Sequence, residues 1–357
     1  PSPLRFSSGN NLEPMGLLLH LNMSGVKTLP LKPGFPRQYP YTQMVSRVLI
    51  DQIDPFHYSA GCEPISDILK MPSTNKSFGD VAEEHAVAMK KCDGNIYIMY
   101  SGGIDSSSAV IAFLRTWSAQ ELQRVYILSS HHSALEFPEL WNVVVDKFKG
   151  RILPSFRHVE YYLKKGYIVT GEHGDQLFGS DVIRAIWHTY GDGGIFKPWQ
   201  EIMPPVYRSM FGPEITASFI PRYEQTLSYC PFPLTTAFDW IWWFNFTNKW
   251  QHVKYRLLAH NGWTDPKNTF PKIKHFYDTP AWQRWSFDNH DKKIAKSYST
   301  YKLAAKEYIV NSTGFADYIN KPKVGSLYQI WYSSEFYEAI DTDYNYLTRE
   351  QAVEYIR

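Results

Sequence analysis

The chain has 357 residues, 44% hydrophobic and 16% aromatic, with a formal net charge of +2. That length can bury a large core in one large or two medium domains, and the near-balanced charge, without a long basic run, argues against non-specific nucleic-acid binding. Three widely spaced cysteines (Cys62, Cys92, Cys230) form no metal pattern or disulfide framework, which fits a reducing, cytoplasmic setting; no apolar stretch reaches bilayer length and no signal peptide is visible.

Residues 1–45 are rich in Pro, Gly, Ser and Asn and read as an irregular arm; residues 46–78 are mixed. Residues 79–91 have the apolar spacing of a helix, with Val81, Ala82, Ala86, Val87 and Met89 as its apolar set. Ile96–Tyr100 is a short, nearly continuous apolar run, as expected of a parallel strand buried on both faces. It leads directly into Ser101-Gly102-Gly103-Ile104-Asp105-Ser106 and then a helix with Val110, Phe113, Leu114 and Trp117 on one face. A glycine turn between a strand and a helix lets backbone approach a ligand, and the helix N-terminus offers unpaired N–H groups to a phosphate. The serine hydroxyls add donors, and Asp105 can hold Mg²⁺. No Gly-Lys-Ser/Thr closes the turn, so it is not a P-loop, and it is not a Gly-x-Gly-x-x-Gly turn.

Further strands are expected at Arg124–Ser129, Ile152–Val159 and Tyr167–Thr170, with a helix opening at Pro138 and carrying Leu140, Trp141, Val144, Val145 and Phe148. Alternating strands and helices predict an α/β fold with a doubly wound parallel sheet, whose ligands bind beyond the carboxyl ends of the strands. The 101–106 and 171–180 loops both lie at such ends. Beyond residue 181 the character becomes mostly helical, with helices at 235–260 and 294–311 and Pro-rich connections at 198–205 and 229–234. The run Phe238–Phe246 is too short and too polar for a membrane span and reads as a buried helix. The 12 Trp and 25 Tyr fit a core of large side chains, with an aromatic-lined cleft as the alternative.

The second loop reads Tyr167-Ile-Val-Thr-Gly-Glu-His-Gly-Asp-Gln-Leu-Phe-Gly-Ser180. Together the two motifs resemble the synthetase domain of the asparagine synthetase family, whose second loop usually reads Gly-Glu-Gly-x-Asp-Glu-Leu-Phe-Gly-Gly. The resemblance covers about residues 79–330 in motif order, spacing and strand context. It implies an adenine nucleotide α-hydrolase-like ATP pyrophosphatase domain over 79–357: an α/β nucleotide-binding core at 79–185, then a mainly helical part at 186–357, preceded by the 1–78 arm. The implied cofactors are ATP and Mg²⁺. The implied ATP-binding residues are Ser101, Gly102, Gly103, Asp105, Ser106 and Gly171, with Asp105 and Asp175 as metal ligands. Glu172 is implied as general base for an attacking amine. Tyr318-Ile-Asn-Lys-Pro-Lys-Val-Gly-Ser326 resembles the family's late loop and implies Lys323 as the lysine at the α-phosphate, with Lys321 as second choice. Phe276-Tyr277-Asp278, Asn248-Lys249 and Lys302 also lie near family positions but receive no role.

The sequence departs from the family at His173, where glycine is usual, and at Gln176, where glutamate is usual. Residues 1–95 are too few for the family's glutamine-hydrolysing domain. The resemblance therefore implies a ligase that adenylates a small-molecule or peptide carboxylate, releases pyrophosphate, and lets ammonia or an amine displace AMP. A separate glutaminase subunit is one source of that nitrogen. Two alternatives stay open: adenylation of a tRNA base, which usually needs a basic surface or paired cysteines, and a non-catalytic descendant kept for binding or structure.

Overall fold

Five strands pair in parallel: β1 Asn95–Met99, β2 Val125–Ser129, β3 Ile152–Pro154, β4 Gly166–Thr170 and β5 Ile273–His275, in the order β3-β2-β1-β4-β5. The register sets Ile98 opposite Ile127 on one side and Val169 on the other. Alternate side chains enter different layers, as a period of two requires. Ile96 and Ile98 join the main core, whereas Tyr97 packs with Leu128, Tyr162, Leu163, Ile168 and Ile273 on the opposite face. Burial on both faces explains why these strands read as apolar runs rather than as alternation. The computed structural model describes residues 47–48, 64–129, 131–154, 160–180, 182–250, 253–254, 268 and 270–321, plus short paired strands at 339–340 and 346–347.

The chain moves from β1 outward to β2 and β3, then returns to β4 on the other side of β1. The connections after β1 and β4 thus diverge, leaving a crevice at the carboxyl ends of two neighbouring strands, the usual ligand position in open α/β sheets.

Helices α1 Ile65–Leu69 and α2 Phe78–Ala88 precede the sheet, and α2 starts at a capping box in which Ser77 accepts from the Asp80 N–H and Asp80 accepts from Ser77. Helix α3, Ile104–Thr116, follows β1 and is buried along almost its whole length. Next come α4 His131–Glu136, α5 Pro138–Lys147 with its proline at the first position, and α6 Glu160–Leu163. After β4 lie α7 Gly174–Phe178, α8 Val182–Ile195, which is broken at Gly191, α9 Trp199–Glu224, α10 Ala237–Asn248, α11 Pro280–Asp288 and α12 Leu303–Thr313. All twelve residues of α10 are buried, which is the buried helix expected at 238–246. No helix among the described residues is long and apolar enough to cross a membrane. Trp240, Trp242, Trp243, Trp250, Trp282 and Trp285 are fully buried, so much of the aromatic content builds core. A buried aromatic removes roughly 150–250 Å² from water, worth about 4–6 kcal/mol at most at ~25 cal/mol/Å².

Several expectations change. Residues 199–205 open α9 instead of forming a connection, and Pro204, Pro205, Pro213 and Pro221 lie inside that helix. Each interior proline costs about 3 kcal/mol. Burial of Ile202, Met203, Tyr207, Ile220 and Tyr223 in the main core opposes that cost. Val87, expected among the apolar set of the 79–91 helix, faces solvent and is 47% exposed. The helix expected over 294–311 begins only at Leu303, after a break at Lys302. The helix expected over 235–260 is interrupted after Asn248. The described part of β3 ends at Pro154, and 155–159 lie outside the described residues. Strand β5 has no counterpart in the sequence reading.

Candidate active site

The turn after β1 is built from its own serines. Ser106 Oγ accepts from the Ser101 N–H at 3.1 Å, meets Ser101 Oγ at 3.0 Å and donates to the Gly103 carbonyl at 3.1 Å. Ser107 Oγ donates to Gly102 O and Ser108 Oγ to Ile104 O. The hydroxyls expected to serve phosphate therefore hold the loop closed, and Ser107 and Ser108 are fully buried in that task. Gly102 has φ +77, and a Cβ there would run into the Ser133 carbonyl of α4. This glycine is demanded by the protein's own packing as well as by any ligand. Gly103 is the N-cap of α3 and, having no side chain, supplies no cap to the first turn. A helix end of that kind suits an anion.

The loop after β4 leans directly on this turn. A Cβ on Gly171 would lie 3.1 Å from Ser106 N and 3.3 Å from Asp105 Cβ, and one on Gly174 would collide with the Asp105 carboxylate. The two loops thus approach backbone to side chain, and Gly174 is the residue that permits it. Helix α7 is a single turn and cannot stand alone. Its exposed carbonyls are met from the helical part: Leu177 O accepts from Ser286 Oγ at 2.7 Å and Trp242 Nε1 at 3.1 Å, and Asn245 Nδ2 donates to Asp175 O at 3.2 Å and to Gly179 O.

The result is a juxtaposition of charges. Lys302 Nζ donates to Asp105 Oδ2 and lies 2.9 Å from Asp175 Oδ1. The lysine is fully buried, while the carboxylates keep 19% and 30% exposure. Tyr277 donates its hydroxyl to Asp105 O at 2.8 Å, and burial holds that phenol well above its usual range. Two oxygen donors already sharing one cation, beside a helix N-terminus, match the way Mg²⁺ is normally held, by one or two carboxylates plus phosphate oxygens. The residues present therefore fit the ion.

Glu172 sits partly exposed above a fixed chain of hydrogen bonds. Its N–H donates to Thr170 Oγ1 at 3.2 Å, Thr170 Oγ1 meets His275 Nδ1 at 2.7 Å, and His275 Nε2 meets Lys254 O at 2.9 Å. A carbonyl only accepts, so His275 carries its proton on Nε2 and accepts from Thr170 through Nδ1. Burial lowers the His275 pKa, which keeps this neutral tautomer. Lys254 in turn pairs with Asp278 at 3.2 Å.

Both departures from the family pattern find structural roles. Gln176 is buried and donates to Asn245 Oδ1 at 3.0 Å, so it faces α10 and not the two aspartates. His173 has φ +70, packs its ring tilted against that of Trp250 with centroids 4.4 Å apart, and meets Trp250 O through Nε2 at 3.1 Å. Burial, with His275 second, drives its pKa well below the usual value. Among the described residues, the non-glycine residues with positive φ are His173 and Lys302, and both flank this site. Left-handed backbone at such residues persists where the surroundings over-determine it.

Ser101, Gly102, Gly103, Asp105, Ser106, Gly171, Glu172 and Asp175 are thus brought together. Lys323 lies outside the described residues. Lys321, the second choice, donates to Glu136 O at 2.7 Å, at the end of α4. Lys302 is the residue to which sequence reasoning assigned no role. Its only signal is proximity to a family position, since a lysine amid ordinary helical composition announces nothing. No protein-family model matches this chain, and a search of curated proteins gives no significant match.

Proposed function

We propose that the protein is an ATP-dependent, AMP-forming ligase that makes an amide from a carboxylate and ammonia or an amine. One observation carries the reading: Asp105 and Asp175, from neighbouring strand ends, share one cation beside the N-terminus of α3. The sheet is read as adenine nucleotide α-hydrolase-like, because the reversal of strand order lies between the two loops that the motifs single out.

In this proposal the uncapped N-terminus of α3 and the Ser101–Ser106 turn receive the triphosphate. Bound Mg²⁺ would neutralise charge on the departing pyrophosphate, held by Asp105 and Asp175. A substrate carboxylate oxygen attacks the α-phosphorus as the bond to the β-phosphate oxygen breaks, giving an acyl-AMP. The amine then attacks the acyl carbon, AMP leaves, and Glu172 takes the amine proton. The Glu172–Thr170–His275 chain supports that base by fixing its backbone. The roles of Gln176 and His173 favour a working site over a degenerate one, since neither substitution takes a group from between the aspartates.

The test is pyrophosphate release from ATP and Mg²⁺ with panels of carboxylic acids, alongside calorimetric titration with ATP. Acid-dependent release is expected. Absence of release with every acid, together with absence of ATP binding, refutes the proposal.

A further inference from the structure

Lys302 reaches the two aspartates by an unusual route. The chain turns left-handed there, φ 64, at the first boundary of α12, and the fully buried side chain ends between carboxylates of two different loops. One turn along α12, Lys306 donates to the carbonyls of Ser299, Ile319 and Lys321, clamping the segments on both sides of α12. The ammonium is therefore a fixed part of the site, unlike a surface lysine that swings in and out.

We propose that Lys302 is a built-in counter-ion that keeps a divalent cation out of the nucleotide-free site and admits it only together with the triphosphate. The proposal rests on the MgATP reading above. With the ammonium in place, the Asp105–Lys302–Asp175 trio carries one net negative charge instead of two, and one oxygen of each carboxylate already meets Nζ. A hard dication that sheds its water reluctantly gains little there, and meets a like charge at short range. Phosphate oxygens change the balance: they give the ammonium a new partner, bring further negative charge, and release the carboxylate oxygens toward the metal. Metal and nucleotide then enter as one ligand, and Lys302 supplies beside the phosphates the positive charge that a second metal ion would otherwise bring.

The experiment uses Mn²⁺ as the probe, read by loss of the free-ion paramagnetic signal, on the full chain. Wild type is expected to leave the signal of Mn²⁺ alone unchanged, and to bind the preformed MnATP complex in a calorimetric titration, since ATP by itself takes up the free ion. Lys302→Met is expected to bind Mn²⁺ without nucleotide, with affinity raised about 10- to 100-fold, the range over which neighbours of a metal site tune it. Adding Asp175→Asn to that variant should abolish the gain. Nucleotide-free wild type binding Mn²⁺ as tightly as Lys302→Met overturns the proposal. Failure of the MnATP complex to bind the wild-type protein overturns the functional reading beneath it, which is a separate outcome. Should Lys302→Met fail to fold, the melting temperature of wild type decides: a rise with Mn²⁺ plus ATP but not with Mn²⁺ alone supports the proposal, and a rise with Mn²⁺ alone overturns it.

Discussion

Gly174→Ala is the sharpest probe of the contact between the two loops. The added methyl would lie 2.8 Å from Asp105 Oδ2 and closer still to Cγ and Oδ1. Ordinary contact begins near 3.4 Å, so the farthest of the three atoms must retreat by about 0.6 Å and the nearer two by about an ångström. The carboxylate has little freedom to do so, since it is tied to Lys302 and its backbone carbonyl to Tyr277. Overpacking of this kind costs about 1–3 kcal/mol of stability. An ångström of misplacement at a reacting centre costs about 100-fold in rate. Gly193→Ala is the internal control: it lies in the short turn that follows the break of α8 at Gly191, with nothing within 4 Å of a new Cβ. It should be close to neutral, within about 0.5 kcal/mol, because the new methyl meets nothing and no left-handed backbone is required there. The assays are urea unfolding and calorimetric binding of MgATP to both variants. Equal stability and equal MgATP affinity for Gly174→Ala and Gly193→Ala would refute the close approach of Gly174 to Asp105.

Three further outcomes are expected. Gln176→Glu replaces the donor to Asn245 with an acceptor, and Asn245 cannot turn its amide without losing bonds to Asp175 O and Gly179 O; urea unfolding should show a loss of at least about 1–3 kcal/mol, and no loss would place Gln176 elsewhere. Glu172→Gln should leave pyrophosphate release in place while lowering amide formation by about 10²–10⁴, and an unimpaired amide yield would remove Glu172 as the base. His290 gives a pH dependence: burial first, and Lys293 second, push its pKa down to about 4, against Asp239 and Asp291, which pull it up. The unfolded chain takes up a proton below about 6.5 and the folded one only below about 4, so stability is complete above the first value and falls by about 3 kcal/mol toward the second. His290→Gln should flatten that slope in denaturation curves taken across this range; an unchanged slope would show that His290 is not responsible.

The strands β1, β2 and β4 were legible because each is an apolar run buried on both faces. Strand β5 was not, because Ile273-Lys274-His275 has no apolar run and owes its place to pairing with β4. The two glycine loops were legible for the same reason they are useful: only glycine tolerates the approach of Ser133 to residue 102 and of Asp105 to residue 174. What composition cannot convey is which way a polar side chain turns. The three serines after Asp105 look like phosphate donors in sequence, yet all three donate to backbone carbonyls of residues 102–104. The break that aims Lys302 at the aspartates is set by tertiary contacts, and local propensity instead extends a helix through it. The prolines of α9 misled for a related reason: burial against the core outweighs a local penalty.

Arg47 carries one more consequence. Its side chain is fully buried, bonding Phe246 O at 3.3 Å and Gln283 Oε1 at 2.5 Å and lying over the ring of Trp250 at 4.8 Å, while its own N–H reaches Thr247 O. A truncated version starting at α2 would leave those acceptors stranded and a guanidinium-sized hole beside α10, the helix that props up α7. Trimming far from the crevice would in this way loosen the turn that carries Asp175, so a shortened version that holds this turn in place is expected to include Arg47.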